Sequence, residues 1–388
     1  MAILSWPPWS LVAVGLAAAG FFHAVDLPGL IKHDKAQKWS EFLTFHFQAL
    51  AFPPRRFRLP AGGSAPFDRV IVEARTDPPF LVVIPDPTLD RVVSWHIAKV
   101  GVWDPLLTER IRQVLRPPPA SDELVIDVGA NVGWFGLLAA SRNYTVAAFE
   151  PQERLVSLLR ASALINGWGT TRGSRGPFCV YHAAVTDRDS IFFGEADVGI
   201  TGTRDRWGGA RVVTEDNGLV ARERSPAVML DHELLSEAFC SGAREGRGGG
   251  EVGVDPPGVA SFPRVKLLKV DVEGHEVAVL RGAQRLLSSG LVENAVFEFG
   301  PNRVEDLEEW EGIISWLSNH CGFETSDIRC AEHRTKSQGD GRGADPCASL
   351  APSATVAMVR HFLHGVMARI GSEKTTDFWF TRPKDPPA

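Results

Sequence analysis

The sequence lacks a C-x-x-C pair. Its five cysteines, Cys179, Cys240, Cys321, Cys330 and Cys347, are scattered and odd in number. Neither a metal cluster nor a disulfide framework is therefore expected, and a single bridge among the last three is the pairing left open for a lumenal chain. A positive charge balance is also missing. The chain holds 41 Lys and Arg against 47 Asp and Glu, a net charge of −6, which leaves no global field for nucleic acid. The short basic cluster Arg55-Arg56-Phe57-Arg58 reads as a solvated surface turn. No internal repeat is visible. Residues 1–25 lack Asp, Glu, Lys and Arg altogether.

Within that uncharged start, Trp9–Val25 is strongly apolar and follows Pro7-Pro8. Its length is at the short limit of a transmembrane helix. A single N-terminal membrane helix is the expectation, with two rivals. One is a signal or transit peptide, for which Ala17-Ala18-Ala19 offers small residues but the basic n-region is missing. The other is a buried or frayed helix. If the segment spans, Lys32, Lys35 and Lys38 follow it, and the positive-inside rule keeps the remainder on the cytoplasmic side. Without a span, a cytoplasmic protein is expected. The chain is thus divided into residues 1–30 as anchor or targeting segment, 31–89 as linker and short strands, and 90–388 as one α/β domain.

In that domain, strands are expected at Val70–Glu73 and Phe80–Ile84 just before it, and a helix from Pro105 with Leu106, Leu107, Ile111 and Leu115 on one face. A parallel sheet starts at Leu124. Val146–Phe149, Phe178–Val185, Val265–Val270 and Ala295–Phe299 continue it, and Asp377–Thr381 is a last strand. Helices are expected over Arg154–Asn166, Gly274–Leu287, Leu307–Cys321 and Met358–Ile370. Two polar, Gly-containing insertions interrupt the pattern, at about residues 241–263 and 331–353.

The centre of the pattern is LVIDVGANVGWFGLLAASRNYTVAAFEP, residues 124–151: strand, glycine turn, helix, strand, acid. Gly129 and Gly133 let a ligand lie against the backbone. A dinucleotide fingerprint has glycine at the middle of this turn, and here the middle residue is Asn131. Asp127 before the turn suits a donor with an ammonium and no phosphate, S-adenosylmethionine, better than a dinucleotide; it also suits a role in holding the turn. Glu150 ends the second strand, 21 residues after Gly129, where an acid accepts two ribose hydroxyls. A second cluster, Asp271, Glu273, His275 and Glu276, follows the fourth strand. It stands at the sheet edge where ligands bind in open α/β folds, and Asp271, Glu273 and His275 are the candidates for proton transfer from an acceptor. Glu276 reads equally as a first-turn helix acid. Glu298 ends the fifth strand on the same edge. Asp271, Glu273 and Glu298 are oxygen ligands that could gather Mg²⁺, but no metal is assigned.

This set resembles the FkbM-type methyltransferases, a branch of class I S-adenosylmethionine-dependent enzymes. The resemblance rests on Val102-Trp103-Asp104-Pro105, Val125–Gly133, Phe149-Glu150-Pro151, Ala183–Asp187, Leu230-Asp231, Leu268–Glu276 and Val279–Ala283. It covers about residues 80–300. It implies a Rossmann-like, mostly parallel seven-stranded sheet with helices on both faces. It implies methyl transfer, usually to a hydroxyl oxygen, and cofactor contacts at Asp127, Gly129, Asn131, Gly133 and Glu150, with the adenine near Ala183 and Ala184. Acceptors in that family range from sugars to macrolides, so a small-molecule or glycan acceptor is expected without a named substrate. The rival readings are a membrane-tethered, catalytically inactive binding protein of the same fold and, disfavoured by Asn131, a nicotinamide-dependent oxidoreductase.

Overall fold

Short apolar stretches shape the sheet of the first unit, and longer unbroken apolar runs shape that of the second. The computed structural model describes residues 54–59, 68–116, 119, 123–169, 178–188, 198–200, 212–213, 223–235, 240, 262–300, 307–329, 349–370 and 375–383. The apolar segment Trp9–Val25, the run Ile191-Phe192-Phe193 and most of both insertions lie outside these residues. Among the described residues no helix is long and apolar enough to cross a membrane. The chain divides into two units, Met1–Trp103 and Asp104–Ala388.

In the first unit, β1 (Arg56–Leu59), β2 (Arg69–Glu73) and β3 (Leu81–Pro85) pair antiparallel with β2 in the middle. Buried and half-buried residues alternate along β2, the pattern of a strand with one covered face. Helix α1 (Val93–Val100) follows and was not expected from the sequence. The residue at its N-cap is Val92, which has no capping side chain. Asp90 serves instead from two residues upstream, with Oδ2 accepting from the Ser94 N–H at 2.8 Å and from Ser94 Oγ at 2.6 Å.

The second unit opens with α2 (Pro105–Val114), capped by Asp104, whose Oδ1 accepts from the Leu107 N–H at 3.1 Å. Next come β4 (Glu123–Val128), α3 (Trp134–Ser141), β5 (Thr145–Glu150), α4 (Glu153–Ile165) and β6 (Phe178–His182). Short strands β7 (Ala184–Val185), β8 (Val198–Ile200), β9 (Val212–Val213), β10 (Glu223–Ser225) and β11 (Ala227–Val228) precede the one-turn helix α5 (Leu230–Glu233). The remaining elements are β12 (Arg264–Val270), α6 (Glu276–Arg281), α7 (Gln284–Ser288), β13 (Asn294–Phe299), α8 (Leu307–Asn319), β14 (Glu324–Asp327), α9 (Val356–Ile370) and β15 (Thr376–Thr381).

Seven strands form one sheet in the order β14-β15-β13-β12-β4-β5-β6. All its neighbours are parallel except those of β15, which runs antiparallel to both β13 and β14. A parallel sheet is covered on both faces, and this explains why its central strands read as continuous apolar runs. Helix α3 is buried from Trp134 to Ala140, so it is apolar all round rather than amphipathic. The Rossmann-like, mostly parallel seven-stranded sheet with flanking helices is therefore the observed architecture. From β4 the chain winds outward through β5 and β6; from β12 it winds the other way through β13. The carboxyl ends of β4 and β12 consequently flank a topological switch point, the place where open α/β sheets bind ligands.

Four expectations need correction. The cluster Arg55-Arg56-Phe57-Arg58 is not a turn: Arg56–Leu59 form β1 and pair with β2. Phe178–Val185 is not one strand: the chain leaves the main sheet after His182, and β7 pairs in parallel with β11, with Ala184 opposite Ala227. The backbone draws it there, since the Ala184 N–H donates to Pro226 O and the Thr186 N–H to Val228 O. Gly274–Leu287 is not one helix but two, α6 and α7, meeting at Gly282. A Cβ on Gly282 would lie 2.1 Å from Thr186 O, so the chain passes a neighbouring strand too closely for any side chain. The bridged cysteines are Cys179 and Cys240, 61 residues apart with their Cα atoms 5.8 Å apart. Cys321 is buried and free, while Cys330 and Cys347 lie outside the described residues. The pairing depends on β6 bringing Cys179 to residue 240, which no spacing in the sequence reveals.

Candidate active site

The glycine turn is closed by its own N–H groups. Those of Gly129 and Ala130 both donate to Phe149 O at 3.0 Å, that of Gly133 to Ala130 O at 2.8 Å, and that of Asn131 to Glu150 Oε2 at 2.8 Å. A pyrophosphate site needs such donors aimed outward; here they are engaged within the protein. The turn presents oxygens instead. Asp127 is buried at the end of β4, where its Oδ2 accepts from the Gly136 N–H at 2.9 Å. Its Oδ1 faces Lys269 Nζ at 3.3 Å but makes no well-directed hydrogen bond, and buried Asn131 Oδ1 has no partner either. Buried polar atoms are normally satisfied, so these two oxygens mark a place for a donor.

The structure gives the glycines a different reason from the one expected. Gly129 has φ +72°, and a Cβ on it would lie 1.9 Å from Asp271 O; on Gly133, φ +89°, it would lie 2.0 Å from Leu159 Cδ1. Both are required first by left-handed backbone and by the approach of neighbouring protein atoms.

Glu150 is buried at the end of β5. Its Oε2 holds Asn131 and its Oε1 accepts from the Gln152 N–H at 2.9 Å. Burial pushes its carboxyl up from 4.5 to about 7, against the pull of these two N–H groups. Each oxygen keeps a second lone pair for a ligand hydroxyl.

Across the switch point, residues 271–275 make a tight turn in which Glu273 adopts φ +59°. Glu276 organises it: its Oε1 accepts from the Val272 N–H at 3.0 Å and from the Gly274 N–H at 3.2 Å. This buried carboxylate therefore holds the turn rather than facing a substrate, and burial raises its pKa. Asp271 is more open, with 39% of its side chain exposed, and its backbone N–H donates to Val128 O at 3.1 Å. Carboxylate oxygens of Asp271, Glu276 and Glu298 all come within 4.8 Å of one another. His275 turns toward β7, with Nε2 2.9 Å from Thr186 Oγ1; burial lowers its pKa, opposed by Asp187. Ala183 and Ala184 are buried just past β6, and the Ala183 N–H donates to Glu150 O at 3.2 Å.

Three residues join this edge that the sequence reading did not assign. Lys269, opposite Asp127 in the β4–β12 register, is buried with Nζ 3.0 Å from Gly129 O, 3.3 Å from Asp127 Oδ1 and 3.6 Å from Asp271 Oδ2. Burial opposes its charge, but Asp127 and Asp271 outweigh that and raise its pKa. Arg329 bridges Asp104 and Asp377, with its Nε donating to Asp377 Oδ2 at 2.5 Å. Asp377 stands opposite Glu298 in the β13–β15 register, and burial pushes its carboxyl up to about 7. One signal was in the sequence: two lysines, Lys266 and Lys269, within the strand VKLLKV, since a buried lysine is rare unless paired. Arg329 and Asp377 follow from the fold alone.

This edge brings Asp127, Asp271, Glu276 and Glu298 around the end of β12, and residues 259–325 match the family described as the methyltransferase FkbM domain. Over that stretch the chain is similar to an FkbM methyltransferase domain. The match spans β12, α6, α7, β13 and α8 and reaches the start of β14. It contains Lys269, Asp271, Glu273, His275, Glu276 and Glu298, while the glycine turn and Glu150 lie outside it. No curated protein matches the chain. A methyltransferase domain implies use of S-adenosylmethionine, and the residues present fit that group. Asn131 Oδ1, which has no partner, and Asp127 Oδ1, which has only the loose Lys269 ion pair, suit an ammonium, and Glu150 retains acceptor capacity for ribose hydroxyls.

Proposed function

We propose that this FkbM-domain protein is an S-adenosylmethionine-dependent O-methyltransferase acting on a hydroxyl of a sugar, lipid or secondary metabolite. The observation that carries the reading is the polarity of the glycine turn. The N–H groups of Gly129, Ala130, Asn131 and Gly133 are engaged internally, while Asp127 Oδ1 has only the loose ion pair with Lys269 and Asn131 Oδ1 has no partner, which suits a cationic donor over a pyrophosphate. When bound, the donor supplies a sulfonium methyl for in-line displacement by an acceptor oxygen. Asp127 and Asn131 hold the ammonium end, and Glu150 holds the ribose. Ala183 and Ala184 border the adenine. Asp271 stands at the open side of the edge, where its carboxylate orients the acceptor hydroxyl and takes its proton. His275, kept neutral by burial, is the second base within the same turn, to which Glu273 also belongs. Acceptor positioning adds to the rate by orientation.

The net charge of −6 supports a small-molecule or glycan acceptor over nucleic acid. Residues 9–25, outside the described residues, are proposed to associate the protein with a membrane as a single helix, with the methyltransferase unit on the cytoplasmic face.

The test is calorimetric titration of the folded protein with S-adenosylmethionine, followed by incubation with labelled donor and cell extract. Micromolar binding and one labelled hydroxyl-bearing product are expected; a folded protein that binds no donor contradicts the reading.

A further inference from the structure

Deepening the proposed function, on which it rests, we infer that Lys269 binds the carboxylate of the donor's amino-acid end, so that Asp127 and Lys269 together form a receptor for a zwitterion. An α-amino acid carries an ammonium and a carboxylate side by side. The cradle holds the complementary pair side by side: Asp127 Oδ1 and Lys269 Nζ, 3.3 Å apart and both buried. Their pairing is loose, and the Lys269 contacts to Asp127 and Asp271 are both longer than the one to Gly129 O, so a ligand carboxylate competes with Asp271 for the ammonium. Asp127 Oδ1 makes no well-directed hydrogen bond. The Lys269 ammonium has three N–H donors, its closest contact is Gly129 O at 3.0 Å, and its distance to Asp271 Oδ2 is 3.6 Å.

The surrounding charge makes a cation necessary here. Asp127, Glu150, Asp271, Glu276 and Glu298 crowd the ends of β4, β5, β12 and β13. A ligand carboxylate entering among them meets repulsion unless a cation receives it. At this edge Arg329 is engaged by Asp104 and Asp377, so Lys269 is the cation beside Asp127. Its placement is fixed from two sides. The β4–β12 register sets Lys269 opposite Asp127, and the Phe135 ring lies 5.6 Å from its ammonium. The same register gives the glycine turn its second anchor, since Nζ donates to Gly129 O.

The experiment compares two donors by calorimetry: S-adenosylmethionine and its decarboxylated form, which keeps the ammonium, sulfonium and adenosine. The wild-type protein is expected to bind the decarboxylated form at least about 10-fold more weakly, the scale of one charge-assisted contact. Lys269→Met should weaken the intact donor by about the same factor and change the decarboxylated one by less than about threefold. Lys269→Arg should preserve most of the discrimination. Circular dichroism and thermal unfolding establish that each variant is folded; if Lys269→Met is not, the wild type and Lys269→Arg decide. Equal binding of both donors by the wild type overturns the inference, and so does an equal loss of both in a folded variant, which is what a merely structural lysine gives. A wild-type protein that binds neither donor overturns the proposed function itself, a result distinct from loss of discrimination.

Discussion

Replacing Glu150 by glutamine removes a buried charge from the apo protein and should remove a defined part of its pH dependence. The carboxyl is pushed from 4.5 to about 7 by burial, which converts to about 3 kcal/mol at 1.36 kcal/mol per pH unit. An acid whose folded pKa lies above its unfolded value binds more protons folded than unfolded between the two. Stability therefore falls as pH rises from about 4.5 to 7 and levels off beyond. Glutamine cannot ionise, so that slope disappears. It has its own cost: both carboxylate oxygens accept a backbone N–H, from Asn131 and from Gln152, and an amide can serve only one with its oxygen. The lost bond costs about 1–3 kcal/mol at every pH. Glu150→Gln should thus be less stable than wild type at pH 5 and about equal to it, or slightly more stable, at pH 8. Asp377, also raised to about 7, contributes the same slope to both proteins and cancels in the comparison. Urea unfolding at half-unit steps from pH 5 to 8 gives the two curves. Parallel curves would refute the reasoning, because they would mean that Glu150 is solvated or already ionised in the folded state.

Gly129→Ala places a Cβ 1.9 Å from Asp271 O in a left-handed backbone and should cost more than about 2 kcal/mol in urea unfolding; a loss under about 0.5 kcal/mol contradicts the turn geometry. Arg329→Met leaves Asp104 and Asp377 without their shared cation and should lower stability by about 3–5 kcal/mol, with Asp377→Asn in the same chain recovering part of it. Cys179→Ser should cost about 4 kcal/mol under non-reducing conditions on the chain-entropy scale for a separation of 61 residues. A reductant should erase that difference, and a difference that persists would point to packing rather than the bridge.

The strands of the main sheet and their ligand-binding edge were legible because physics writes them plainly. A strand buried on both faces is a continuous apolar run, and in β4, β5 and β12 each run stops at an acid or a glycine. The sequence alone therefore places Glu150 and Asp271 at strand ends. What escaped depends on contacts between distant segments. The helical pattern runs on across Gly282, and what marks the break comes from distant segments: the carbonyl of Thr186, 96 residues earlier, leaves no room for a side chain there, and Asp231 accepts from the Arg285 and Leu286 N–H groups. The departure of β7 is set by hydrogen bonds to residues 226 and 228. Glu276 looked like an ordinary helix acid until its oxygen was seen holding Val272 and Gly274. Lys269 gained its meaning from register alone, a relation between two strands that a single segment cannot express.

The placement of β15 has a consequence for how the chain is made. This strand lies between β13 and β14, although it follows both in sequence. While a ribosome is still short of Thr376, β13 has an uncovered edge, and β14, bridged to Leu350, has among the described residues no partner within the main sheet. Bare edges of this kind are where nascent chains stick to one another. The last strand then acts as a closing step: it joins β14 to the sheet, and it delivers Asp377 beside Glu298 and toward Arg329. A polypeptide that has not yet reached Thr376 owns every acid of the donor cradle and still lacks the strand that joins β13 to β14.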